Sequence, residues 1–200
     1  IMFPVVESFT GKPVDLEFAS DGDHLYLLSG ASEGTADVIW SARPISGASN
    51  GGGEGQECLV SCDDLSGDGF PDVLLATAWG NRSVHAIDGR TGAVLWTFDS
   101  YDQPDSGWIY SVRAHPDRTG DGRPEVIFGV GSENHDGFML DGATGAVLWR
   151  YTGADDAIGH VVAMPDVDGD GTDDVLFCGW DYDERIHVVD GAASGFASTH

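Results

Sequence analysis

Basic residues are nearly missing from this sequence. Nine Lys and Arg stand against 34 Asp and Glu, Lys12 is the only lysine, and the formal net charge is −25. A surface of that sign repels phosphate backbones and anionic lipid, which excludes nucleic acid and membrane insertion as modes of action. Long apolar runs are missing as well, because no stretch approaches the roughly 18 residues that a membrane span needs. The start, IMFPVVESFT, has neither the charged n-region of a signal peptide nor an initiator Met, so a processed or partial product is expected. Cysteine is scarce: Cys58, Cys62 and Cys178 make an odd count without a CxxC pair, against a zinc site or a dense disulfide framework. On one strand Cys58 and Cys62 would lie roughly 13 Å apart, too far to bridge each other. One of them pairing with Cys178 stays open beside the plainer role of small buried hydrophobes. Helical periodicity, a nucleophile elbow, HExxH, a phosphate loop and a Cys–His constellation are also lacking.

What is present is repetition. Of the acidic residues 26 are Asp, and many sit in short Gly-rich loops rather than in runs, a placement suited to metal ligation; a salt-adapted surface is the competing source of the charge. Two patterns alternate with a period near 50 residues. The first is an acidic loop followed by an apolar strand: DLSGDGFPDVLLA from Asp64, DRTGDGRPEVIFG from Asp117 and DVDGDGTDDVLFC from Asp166. The second is strand, tight turn, strand: VHAIDGRTGAVLW ending at Trp96, FMLDGATGAVLW ending at Trp149 and IHVVDGAASGF ending at Phe196.

Short strands rich in Val, Ile, Leu and Trp between Gly, Asp and Asn turn signals predict an all-β chain. One period reads as strand a, acidic loop, strand b, variable loop, strand c, DGxTG turn and strand d, a four-stranded antiparallel blade. Radial repetition of such blades is a β-propeller. Four units are expected in one domain spanning 1–200, at about 3–42, 55–98, 108–151 and 158–200, the first a reduced copy without the acidic loop. The last unit has GFASTH where its siblings have AVLW, so its outer strand is expected to be weak or missing. VVESFTG near the N-terminus resembles VLWRYTG at Val147. That strand could therefore complete the last blade, pass to a neighbouring molecule, or belong to part of a larger propeller.

Within each acidic loop the oxygen-bearing side chains fall at positions 1, 3, 5 and 9, with Gly at 6 for the sharp turn and a backbone carbonyl available at 7. The sites are then Asp64, Ser66, Asp68, the Phe70 carbonyl and Asp72; Asp117, Thr119, Asp121, the Arg123 carbonyl and Glu125; and Asp166, Asp168, Asp170, the Thr172 carbonyl and Asp174. All-oxygen ligation with several carboxylates selects a hard cation, and flexible coordination suits Ca²⁺ better than Mg²⁺. An EF-hand would need Glu at position 12, where Leu75, Phe128 and Phe177 stand.

These DxSxDGxxD loops followed by an apolar strand resemble the FG-GAP repeats of integrin α-subunit propellers and of VCBS-type surface proteins. The DGxTGxVLW segments resemble the blades of pyrroloquinoline-quinone-type propellers. The resemblance covers nearly the whole chain and implies structural calcium on one rim at three sites, with no single activity.

In an antiparallel blade the a–b loops and c–d turns share one face, and the b–c and d–a loops share the other. The second face collects WGNRS from Trp79, DSYDQPDSG from Asp99, GSENHDG from Gly131 and WDYDER from Trp180. Trp79, Trp180 and Tyr182 there suit stacking of a sugar or contact with a protein, or packing between blades. Trp40, Trp96 and Trp149 recur at one repeat position and are expected in the inter-blade core, and His85 and His187 as packing residues. Asn81 opens an N-x-S sequon.

The functional expectation is an extracellular or cell-surface module without catalysis, serving adhesion, interaction or assembly with a protein or carbohydrate partner. One alternative is the propeller of a secreted carbohydrate-active enzyme, for which Asp181, Asp183, Arg185 and His135 are the candidate groups. Another is a filament subunit joined by exchange of the N-terminal strand. A quinone-dependent dehydrogenase is disfavoured, since four units are too few to ring such a cofactor.

Overall fold

The structure is a computed structural model and describes residues 5–6, 14–18, 25–43, 58–77, 82–102, 107–180, 182–183, 185–193 and 195–197. Alternating apolar residues between Gly- and Asp-rich turns build strands throughout, with one 3₁₀ turn at Ser100–Asp102 among the described residues. The first sheet is β1 (Val5–Val6), β2 (Val14–Phe18), β3 (Leu25–Leu28) and β4 (Val38–Ala42). The second is β5 (Leu59–Cys62), β6 (Asp72–Ala76), β7 (Ser83–Ile87) and β8 (Val94–Asp99). The third contains β9 (Trp108–His115), β10 (Glu125–Gly131), β11 (Gly137–Leu140) and β12 (Val147–Tyr151). The fourth has β13 (Ile158–Met164), β14 (Asp174–Gly179) and β15 (Ile186–Val189). Within each sheet these strands pair antiparallel in chain order, the four-stranded blade that the repeats predict; the chain is an all-β propeller fold.

The first edge keeps to the repeat and the last departs from it. The N-terminal strand β1 lies against β2, with Val5 opposite Asp15 and Val6 opposite Val14, so it is strand a of the first blade rather than the edge of the last. At the other end β16 (Gly195–Ala197) leaves its own unit and pairs in parallel with β12, Trp149 opposite Gly195 and Tyr151 opposite Ala197. The turn sequence departs there as well. In DGRTG and DGATG the fifth residue is Gly92 or Gly145, held at φ of 75° and 73°, which L side chains rarely adopt. The corresponding residue of the last unit is Ser194. Ser thus stands in the sequence where the other two turns have a left-handed Gly. The outer strand of unit four, expected to be weak or missing, is absent from blade four among the described residues, and Gly195–Ala197 lies on blade three.

Three apolar clusters join the blades in sequence. Leu25 and Leu27 meet Leu59, Val73, Leu75 and Ile87, with Trp40 packed alongside. Leu74, Ala86 and Phe98 meet Val112, Val126, Phe128 and Phe138. Ile127, Met139, Trp149 and Tyr151 meet Val161, Val175, Phe177 and Val189. In blades two and three the inner strands β6, β7, β10 and β11 are buried on both faces because alternate residues belong to successive clusters. On blade four the alternation leaves Val162, Ile186 and Val188 exposed.

A repeated tryptophan fastens each blade to the next. The indole N–H of Trp40 donates to the Gly89 carbonyl, that of Trp96 to Gly142 and that of Trp149 to Gly191, at 2.9, 2.7 and 3.3 Å. The acceptor is in every case the first Gly of the next blade's DG turn, and Gly92 and Gly145 lie flat against the rings of Trp40 and Trp96. The expectation that these tryptophans sit between blades holds, with Trp149 fully buried. Cys58, Cys62 and Cys178 are free thiols. Burial, followed by the charges of Asp72 and Asp63, pushes the Cys62 thiol far up, so it stays protonated and inert.

Candidate metal centre

The three Asp-rich loops adopt one backbone form. Gly67 and Gly69, Gly120 and Gly122, and Gly169 and Gly171 all have φ between 81° and 97°, which coils each loop around its first Asp. Asp64 Oδ1 accepts the Gly67 N–H at 2.5 Å and its Oδ2 the Gly69 N–H at 2.7 Å. Asp117 receives Gly120 and Gly122 in the same way, and Asp166 receives Gly169 and Gly171. The N–H donors of Gly120 and Gly122 hold the Asp117 carboxyl below the usual carboxylate range, and Gly169 and Gly171 do so for Asp166. For Asp64, desolvation acts upward but the donors of Gly69 and Gly67 and the Ser66 hydroxyl outweigh it, and the net direction is down.

Position 9 does something that spacing does not show. Asp72, Glu125 and Asp174 are buried at 0%, 1% and 1% exposure, and each accepts backbone donors from two places. Asp72 Oδ2 takes the N–H groups of Leu65 and Ser66 while Oδ1 takes Gly89 of the DG turn. Glu125 clamps Arg118 and Thr119 to Gly142, and Asp174 clamps Val167 to Gly191. A carboxylate has about four lone-pair sites, so three N–H partners leave about one on Asp72 for anything else. Burial raises the Asp72 carboxyl against these donors.

The carboxylate clamp and the tryptophan latch meet on a single glycine residue. Gly142 accepts from Trp96 through its carbonyl and donates to Glu125 through its N–H; Gly89 and Gly191 do the same between Trp40 and Asp72 and between Trp149 and Asp174. A Cβ on Gly142 would collide with the Pro124 carbonyl oxygen, and one on Gly191 with that of Asp173. Acidic loop, c–d turn and blade interface are therefore one hydrogen-bonded unit, repeated three times.

At positions 1, 3 and 5 the loops diverge. Carboxylate oxygens of Asp166, Asp168 and Asp170 lie within 4.8 Å of one another, the one group of three such ligands among the described residues. The Asp170 N–H acts to lower the Asp168 carboxyl, but desolvation and the charges of Asp170, Asp174 and Asp190 together raise it. That crowding of like charge is what a cation relieves, so the third loop fits a hard divalent ion. The first two loops offer Asp64 with Asp68, and Asp117 with Asp121, each around a hydroxyl from Ser66 or Thr119; the Ser66 hydroxyl bonds Asp64 at 3.1 Å. Phe70, Arg123 and Thr172 stand at position 7, and Arg123 reaches across to the Ser66 carbonyl at 3.4 Å.

The opposite rim is held by ion pairs: Arg82 with Glu133 and Arg185 with Asp155 between loops, and Arg150 of β12 with Asp136. Asp183 is fully buried, with Oδ2 2.6 Å from His187 Nε2 and Oδ1 3.0 Å from Arg185 Nε. His187 Nδ1 lies 2.7 Å from the Tyr151 hydroxyl. His135 Nε2 is 3.8 Å from Asp156. Of the groups weighed for catalysis, Asp183, Arg185 and His135 are thus placed in these contacts, and Asp181 lies outside the described residues. Trp180 and Tyr182 are 41% and 88% exposed, while Trp79 and Asn81 lie outside the described residues. His85 is buried as expected, with Nδ1 2.9 Å from Thr97 Oγ1. The buried Asp183 was not legible as such, since an acid in a WDYDER loop reads as solvated rim.

No protein-family model matches the chain, and no curated protein sequence matches it. Solved structures do. The biofilm matrix protein Bap1 of V. cholerae superposes over 91% of this chain with a TM-score of 0.60 and 19% identity. The C-terminal domain of PilY1 from Pseudomonas aeruginosa covers 83% at 0.57 and 16%, and BamB from Moraxella catarrhalis 92% at 0.52 and 19%. The chain spans 25%, 36% and 43% of those three structures, so the likeness is one of fold.

Proposed function

We propose that the chain is a non-enzymatic binding module of the extracellular space or cell surface, stiffened by Ca²⁺ at the loops opening on Asp64, Asp117 and Asp166. The observation that carries it is the convergence of Asp166, Asp168 and Asp170 within 4.8 Å in a loop form shared by all three repeats. An ion there neutralises crowded carboxylates and holds the a–b connection, while the position-9 acid ties that loop to the DG turn and its tryptophan. Millimolar free calcium outside cells suits open loops of this kind better than the submicromolar level inside. The fold-level likeness to a biofilm matrix protein and to PilY1 supports a surface role. Among the described residues no helix is long and apolar enough to cross a membrane.

Thermal unfolding with calcium and with EGTA tests the metal part. At calcium a hundredfold above Kd one occupied site adds about 2.7 kcal/mol, or about 5 to 10 °C for a chain of this size. A melting temperature unmoved by EGTA overturns the calcium assignment. Retention of purified chain on intact producing cells tests the surface role.

A further inference from the structure

We propose that the rim opposite the metal loops carries a binding site for a neutral glycan, with Trp180 and Tyr182 as its stacking surface. The proposal deepens the surface-module reading and rests on it. Residues from two blades converge there: His135 between β10 and β11, Asp155 and Asp156 after β12, and Trp180, Tyr182, Asp183 and Arg185 after β14. Trp180 covers Gly159 so closely that a Cβ would collide with its indole, and its ring lies 4.5 Å from that of Tyr110, leaving the outer part exposed. Tyr182 is almost wholly in solvent, yet its backbone is fixed by the N–H bond to Asp156 Oδ2 at 3.1 Å.

The loop that carries both rings is locked from beneath. Asp183 anchors it through His187 and Arg185 and accepts the Asp155 N–H at 3.1 Å, and the Asp183 N–H closes the turn onto the Trp180 carbonyl at 2.8 Å. A fully buried carboxylate needs such partners, and here they spend its charge on positioning a surface loop. Two aromatic side chains held out to water on a pinned loop avoid much of the ordering cost of binding.

The surrounding groups select the ligand class. Asp156 holds the Tyr182 backbone and pairs with His135, and Arg185 pairs with Asp155, so carboxylate acceptors and N–H donors stand in the same group of loops as the rings. His135 and Asp156, at 3.8 Å, are beyond hydrogen-bond distance and both keep capacity for a third group. A pyranose offers an apolar C–H face to an aromatic ring and hydroxyls at its edge that donate to carboxylates and accept from Arg and His. The exposed Val162, Ile186 and Val188 lie on strands β13 and β15 of blade four. The loop end itself offers two rings in a charged border, which suits a sugar better than it suits the broad apolar centre of a protein interface. The net charge of −25 repels an acidic polysaccharide, which leaves a neutral one.

Affinity electrophoresis of the calcium-loaded chain in gels containing laminarin, mannan or galactomannan, with alginate as the acidic control, tests the site. Retardation is expected in at least one neutral gel and not in alginate. Trp180→Ala and Tyr182→Ala should each weaken it by about tenfold, with Tyr182→Phe retaining it, because stacking needs the ring and not the hydroxyl. Tyr182 has almost no packing to lose, so its variant reads binding even if Trp180→Ala also lowers stability. Retardation in no neutral gel, in alginate alone, or to the same degree in the Trp180→Ala/Tyr182→Ala variant overturns the proposal. If cells retain that double variant as well as the parent, the glycan site falls and the surface-module reading stands. Trp180-dependent retention on periodate-oxidised cells points to a protein partner and likewise overturns the proposal.

Discussion

The two rims of the blade stack are made from the same residue types by opposite rules. On the loop-and-turn rim the acids bond to backbone: Asp64, Asp72, Asp117, Glu125, Asp166 and Asp174 all accept main-chain N–H groups within their own blade. On the other rim Asp156 and Asp183 also take backbone donors, but the rim is tied by side-chain ion pairs, Arg82–Glu133, Arg150–Asp136 and Arg185–Asp155. Backbone donors are the same in every repeat, so the first rim can be copied. Side-chain partners must be supplied anew for each loop, so the second rim varies, and variable surface on a fixed frame is where recognition is placed. The difference teaches that the first rim maintains the fold, while the second is free to vary without disturbing it.

The sharpest break of that comparison is removal of a latch. Trp149→Ala should cost about 3 to 5 kcal/mol, as large aromatic truncations in a core do, and should also loosen the Asp174 clamp through Gly191. Chemical denaturation checks it. Tyr182→Ala, equally aromatic but on the other rim, should leave stability within about 0.5 kcal/mol. Equal losses would erase the division of labour. Next comes Asp183→Ala, which strips a buried charge from His187 and Arg185. About 3 kcal/mol is expected, with the loss accompanied by faster proteolysis within 180–185.

Acid tests the frame at another point. Burial lowers the His85 imidazole from 6.5 to about 4, so the folded chain holds it neutral while the unfolded chain protonates it first. Its contribution is complete above about pH 6.5 and is lost as pH falls toward about 4, a change of about 3 kcal/mol. His85→Asn, which keeps a hydrogen-bonding atom near Thr97, should flatten the acid limb of stability across that window in urea titrations from pH 7 to 4.

Much of this was legible because propeller repeats write their geometry in short motifs. The antiparallel blades, the latch tryptophans and the left-handed glycines all follow from period and turn chemistry. The second task of the position-9 acids was not legible, because DxSxDGxxD records spacing but not which backbone groups a carboxylate meets; only the fold shows Asp72 between Leu65 and Gly89. The destination of Gly195–Ala197 escaped for a related reason. The sequence DGAASGF shows that the last unit departs from DGxTGxVLW, not where the segment after it goes. Asp183 was hidden because burial of a loop acid depends on His187 and Tyr151, which lie on different strands.

The smallest expected effect separates the loops of the first rim from one another. Asp168 is the carboxylate that the third loop has where its siblings have Ser66 and Thr119, and it is raised by the acids around it once they outweigh the Asp170 N–H. Asp168→Asn removes one of those like charges. In EGTA the variant should melt slightly above the parent, because repulsion is relieved; in saturating calcium it should melt below, because a charged ligand is gone. The crossing of the two curves, read by differential scanning calorimetry, is a sign test that needs no large shift. Ser66→Asn alters no charge in the first loop and should show no crossing. A crossing at both loops would make the third loop ordinary, and a crossing at neither would leave the Asp166–Asp168–Asp170 cluster without a role in holding the ion.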